Sequence, residues 1–127
     1  GVVAPWVAGH HYLQRRLRPA DGEDAPRLAG PGAVAQAKLA ELFVCDAENV
    51  MVFFADLVGE TRRYNTPGTV GPHNWTLRLA RSWREDYREA VAEGRALSMP
   101  RALAWALRAR GGEERRALAS KLEALEG

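Results

Sequence analysis

Apolar positions along this chain follow two rhythms. Most of the chain keeps the helical spacing of about 3.6 residues. Ala33 to Cys45 puts Val34, Leu39, Leu42 and Phe43 on one side and Gln36, Lys38 and Glu41 on the other, which predicts a helix. Ala4 to Leu17 carries Val7, His11 or Tyr12, and Leu17 at similar intervals, with Pro5 tolerated in a first turn. Ser82-Trp83-Arg84-Glu85 has the form of a capping box and opens a helix to Glu93, with Gly94 as its stop. Ser98-Met99-Pro100 opens another, through Leu103, Trp105 and Leu107 to Arg110, ended by Gly111-Gly112. Glu113 to Glu126 sets Leu118, Leu122 and Leu125 on one stripe, with acids in its first turn to favour the helix dipole. That stripe and Trp105 are expected in the core.

The second rhythm is a single unbroken apolar run, Val50 to Ala55, with no charge to face water. It predicts a strand buried on both faces, as in a parallel sheet, joined to the preceding helix by the short turn Asp46 to Asn49. One strand cannot make a sheet, so its ladder partners are expected elsewhere in a larger protein or from another copy of the chain. Pro19 to Gly32 is punctuated by Pro and Gly and reads as a loop. A longer polar loop follows the strand and carries Asn65, Thr66-Pro67-Gly68-Thr69 and His73-Asn74-Trp75. A loop hung on the end of a buried strand is a common place for binding groups. Asn65 both donates and accepts, which suits a vicinal diol, and Tyr64 and Trp75 offer flat apolar faces for a sugar ring. The plainer alternative is a capped turn, with Asn65 folded back on its own backbone.

Composition narrows the field. The residues are 46% apolar and 27% charged, the balance of a water-soluble globular chain of one small domain or part of a larger one. No apolar run approaches the roughly 20 residues that span a bilayer, and no secretory signal opens the chain, so no membrane partner is expected. A start at Gly1 rather than Met is read as a portion of a longer protein. Cys45 is the only cysteine, which excludes an internal disulfide and makes the cytoplasm the simplest compartment. Net charge is +2, with Arg62, Arg63, Arg78 and Arg81 following a more acidic stretch at Glu41, Asp46, Glu48, Asp56 and Glu60. Two blocks of opposite sign can pair locally, so nucleic acid is not the expected partner.

No complete catalytic set is visible. The chain lacks a Gly-x-Ser-x-Gly elbow, a Walker-type loop, a Cys-x-x-Cys pair and a His-Glu-x-x-His helix. His10 and His11, adjacent on a helix, point about 100° apart and cannot share a metal as an i, i+4 pair can. Asp56 and Glu60 sit four apart in a turn beside Arg62 and Arg63, an arrangement suited to ion pairing.

The run from Phe53 to Leu79 resembles the C-terminal signature of the 4-alpha-glucanotransferases (amylomaltase, disproportionating enzyme; glycoside hydrolase family 77). The match consists of Asp56-Leu57-Val58-Gly59, then Arg63-Tyr64-Asn65-Thr66-Pro67-Gly68-Thr69, then Asn74-Trp75-Thr76-Leu77-Arg78-Leu79. The resemblance implies an α/β fold: a C-terminal fragment of a (β/α)8 TIM barrel, predominantly helical, with one buried strand over residues 50–55 and a helical tail. On that layout residues 1–32 form a helix and loop, 33–79 the helix, strand and substrate loop, and 80–127 the tail. It also implies a glycosyltransferase of starch and glycogen metabolism, a retaining enzyme that moves α-1,4-glucan segments between maltooligosaccharides with no metal or nucleotide cofactor. Its partners would be the glucan and the remainder of the barrel or another copy.

Carried over by position, Asn65, Thr66, Pro67, Gly68 and Thr69 would contact glucan, with Asn65 bonding glucose hydroxyls. Asp56, Arg63, Asn74, Trp75 and Arg78 would anchor the loop. A retaining reaction needs two carboxylates about 5–5.5 Å apart. The family's nucleophilic Asp, its acid/base Glu and a third Asp within a His-Asp-Asn motif have no counterparts here. Catalytic residues are therefore expected outside this chain, which would supply contacts and not chemistry. Ala55 also stands where polar residues are common in the family. The alternatives are a non-catalytic α-glucan-binding remnant and an Arg-rich helical interaction module.

Overall fold

The computed structural model describes residues 5–126, with side chains described from residue 9, so the expected contribution of Val7 lies outside the described residues. The helices are α1 Pro5–Arg16, α2 Pro31–Glu41, the single turn α3 Phe54–Leu57, α4 Trp83–Ala92, α5 Met99–Arg110 and α6 Glu113–Ala124; all but α3 lie on the stretches that the periodicity predicts, α2 beginning and ending earlier than expected. They pack in series, α1 on α2, α2 on α5, and α5 on α6.

The expected buried strand is absent, and with it the barrel fragment. Among the described residues there is no strand, so the fold is all-helical and not α/β. Val50 to Phe53 runs without regular structure, and from Phe53 the chain coils. The Phe53 carbonyl accepts the Asp56 N–H, starting α3. Gly59, at φ 69°, ends it in a Schellman motif, with Glu60 N–H donating to Ala55 C=O and Gly59 N–H to Asp56 C=O. The physical reason is the one the sequence itself raised. A lone strand has no ladder to satisfy its amides. A single helical turn satisfies part of them locally and still buries Ala55 and Leu57.

The core is built from Leu13 of α1, Leu17 just past its end, Leu28 of the following loop, Val34, Ala37, Leu39 and Ala40 of α2, Leu57, and Ala102 of α5. Phe54, Tyr87, Leu97 and Trp105 pack against its edge. Among the described residues two polar residues, Gln36 and Ser98, are buried. Gln36 is buried on α2 and holds the backbone of Ser98, donating from Nε2 to its carbonyl at 2.7 Å and accepting its N–H at 2.8 Å. Ser98 in turn caps α5, its hydroxyl accepting the Arg101 N–H at 3.1 Å.

The expected apolar stripe of α6 is not core. Leu118 and Leu125 are exposed, whereas Ala119 is fully buried. With α5 as its one extensive neighbour, α6 turns its small side inward, where Ala119 permits close approach; Ala104, one turn before Arg108 on α5, is also fully buried. Arg108 then straps the pair, both its Nε and Nη2 lying 2.8 Å from the Glu123 carboxylate. Ser82 precedes α4 without forming the capping box, its hydroxyl bonding Asp86 instead of the helix amides.

Where α5 ends, Gly111 takes φ 74°, and a Cβ there would sit 2.5 Å from the Ala20 methyl. That contact lies beside the Ala20 N–H bond to the Arg108 carbonyl. Gly111→Ala is expected to lower stability by about 2 kcal/mol, the sum of a left-handed backbone cost and a steric overlap. Thermal melting checks it; an unchanged melting temperature would show that the α1–α2 loop does not close over the end of α5.

Candidate glucan-contact loop

The segment from Glu60 to Leu79 has no regular structure, yet side chains define its shape. At its entrance Glu60 grips Arg62: Oε1 accepts the Arg62 backbone N–H at 2.8 Å and its Nε at 2.9 Å, and Oε2 lies 2.6 Å from Nη2. The Arg62 guanidinium, and then its backbone amide, hold the Glu60 carboxyl down at about 2 from an ordinary 4.5. Because this pKa is lowered on folding, the clamp's contribution is present above about 4.5 and disappears as pH falls through about 2. Carboxyl-detected NMR titration should therefore find Glu60 titrating near 2, and Arg62→Ala should return it toward 4.5. A midpoint near 4.5 in the unmodified chain would mean that the clamp does not form.

Beyond the clamp lies a four-residue turn. Thr69 N–H and Oγ1 both donate to the Thr66 carbonyl, at 3.2 and 2.7 Å. Pro67 presets the first corner, and Gly68 supplies the positive φ of 78° that the second corner requires. Asn74 fastens this turn from across the loop. Its Oδ1 accepts the Thr66 N–H at 2.8 Å, and its Nδ2 donates to Thr69 O at 3.1 Å and to Thr69 Oγ1 at 3.3 Å. The next residue, Trp75, sits at φ 63° and donates its N–H to the Tyr64 carbonyl. Thr76 Oγ1 donates to His73 O, and Arg78 Nη1 donates to the carbonyls of Trp75 and Leu77 at 2.7 and 3.0 Å.

The structure brings Asn65, Thr66, Pro67, Gly68 and Thr69 into one arch, with Asn74 and Arg78 tying it down. It does not fold Asn65 back on its own backbone. Among the described residues the half-buried Asn65 carboxamide makes no hydrogen bond, and the backbone-satisfying work falls to Asn74 and Thr69. Trp75 contributes its backbone to the anchoring, while its side chain is 62% exposed. Arg63 is exposed and makes no ion pair among the described residues; the pairing goes to its neighbour Arg62.

Asp56 stands apart from the arch. It borders a groove of about 640 Å³ lined also by Gln36, Leu57, Arg95, Arg101 and Trp105. The hollow beside the loop is much smaller, about 130 Å³ between Glu60, Arg62, Tyr64, Leu77 and Arg78. Asn65 borders neither of these, and the arch is exposed from Pro67 to Val70. Sequence reasoning missed Gln36, whose polar character on a helix reads as solvent-facing until Ser98 is placed beside it. It also missed the exposure of Phe53, which an unbroken apolar run conceals.

Among the described residues no group of three or more His, Cys, Asp or Glu side chains converges as a metal site, and no helix is long and apolar enough to cross a membrane. No family model, curated protein or solved structure matches this chain.

Proposed function

We propose that the loop from Tyr64 to Trp75 is a contact surface for α-1,4-glucan within a 4-alpha-glucanotransferase, and that the catalytic carboxylates are supplied from outside this chain. The observation that carries the reading is the division of labour between two asparagines. Asn74 spends its carboxamide on the Thr66–Thr69 turn, leaving Asn65 at the turn's edge with donors and an acceptor to offer. A vicinal diol presents the complementary pair of groups. An exposed arch suits a polymeric substrate passing across it, and the reaction itself requires a carboxylate pair that this surface does not supply. The Phe53–Leu79 motif described above gives the substrate class. The lone cysteine, half-buried and free, fits a reducing cytoplasm as the compartment.

Calorimetric titration of the chain with maltoheptaose tests the assignment. Millimolar or tighter binding is expected, and Asn65→Ala should weaken it about tenfold, the equivalent of one or two hydrogen bonds to a neutral ligand. The circular dichroism spectrum should not change, since the side chain supports nothing else. Equal affinity in the two proteins would remove Asn65 from the site.

A further inference from the structure

The apolar run presents one of its rings to water. Phe53 is 60% exposed, while the residues that follow it turn inward: Phe54 packs against the core and Ala55 is buried. Phe54 makes the edge-to-face contacts with Trp83 and Tyr87 that close this side of the interior, and Phe53 takes no part in them. Instead Phe53 lies beside Tyr64, ring centroids 6.3 Å apart and planes 28° from parallel. Tyr64 backs the Phe53 ring in this stacked arrangement, and the exposed Phe53 ring keeps a flat apolar surface that is costly to leave wet. Tyr64 is also fixed in place: its carbonyl accepts the Trp75 N–H, and its chain neighbour is Asn65.

A flat apolar face adjoining an unspent carboxamide matches the two aspects of a pyranose, a C–H face and a hydroxyl edge. We propose that Phe53 and Tyr64 form an aromatic platform that holds one glucose unit of an α-1,4-glucan next to the unit bonded by Asn65. The inference rests on the glucan reading above and adds Phe53 as a binding residue of that site. It requires at least two linked sugars to engage both features, so maltooligosaccharides bind and free glucose does not compete effectively.

Titrations of the complete chain with maltoheptaose, for the unmodified protein and for Phe53→Ala, Phe53→Leu, Phe53→Tyr and Asn65→Ala, decide the matter. Phe53→Ala and Phe53→Leu should each weaken binding about tenfold, because leucine restores apolar bulk without a flat face, and Phe53→Tyr should stay within about twofold. Melting temperatures should agree, since the ring lies outside the core. Phe53→Ala binding as the unmodified chain does, with Asn65→Ala weakened, overturns the platform and leaves the glucan reading standing. Phe53→Leu binding normally overturns the platform as well. Loss in Phe53→Ala with none in Asn65→Ala keeps the platform and removes the carboxamide. No binding of maltoheptaose by the unmodified chain at about 10 mM sinks both.

Discussion

Replacing Gln36 by leucine is expected to lower the free energy of unfolding by about 3 kcal/mol, the largest effect of any single change considered for this chain. Leucine keeps the helix propensity and most of the volume, so packing changes little. What it removes is the pair of bonds that joins α2 to the Ser98 backbone across 62 residues of sequence. The Ser98 N–H is then left buried without a partner, at a cost of about 1–3 kcal/mol, while its C=O loses one of two bonds and keeps the Ala102 N–H. Ser98 also caps α5, so its displacement loosens the start of the helix that α2 and α6 both pack against. Against a total stability of about 5–15 kcal/mol, such a loss leaves a protein close to unfolding. Urea denaturation measures it, and hydrogen exchange should show the Ser98 amide deprotected. A loss under about 1 kcal/mol would mean that apolar packing alone joins α2 to α5.

Removing the Asn74 side chain acts on the other half of the molecule. Asn74→Ala breaks the bonds to Thr66 N–H, Thr69 O and Thr69 Oγ1 together, and the arch loses the brace that sets the position of Asn65. Maltoheptaose affinity should fall about thirtyfold, equivalent to about 2 kcal/mol of pre-organisation. The melting temperature should barely move, because none of the three bonds reaches the buried cluster. Asn74→Asp makes the finer test. It keeps an acceptor for the Thr66 N–H but turns a second oxygen toward Thr69 O, so its affinity should fall nearly as far. An Asn74→Ala protein that binds as tightly as the unmodified one would show that the arch is held by the Pro67-Gly68 turn alone.

These two changes also mark what the sequence made legible. The helices were readable because their signals are local: the spacing of Val34 and Leu39, the Ser98 cap, and Gly94 and Gly111 at positive φ past the ends of α4 and α5. Where a signal depended on a distant partner, reading failed. Val50 to Ala55 looks the same whether a sheet covers both faces or helices cover one, and with no neighbouring strand the run divides into an irregular segment and the turn of α3. The leucines of α6 mark an amphipathic helix correctly, yet periodicity cannot say that the alanine side will meet α5. The turn at Pro67-Gly68 was legible from its residue types. That Asn74, and not Asn65, would brace it was not, because both are asparagines beside an aromatic residue, Tyr64 and Trp75, and only the path of the chain separates their roles.

Amide chemical-shift mapping of the complete chain during titration with maltoheptaose, and with a β-1,4-linked oligosaccharide of equal length as control, tests the central claim most directly. The account predicts shifts concentrated over residues 64–69 and at Phe53 and Trp75, saturating with the α-linked sugar and absent with the β-linked one. Shifts confined to the groove around Asp56, Arg95, Arg101 and Trp105, or no shifts with either sugar, would contradict it.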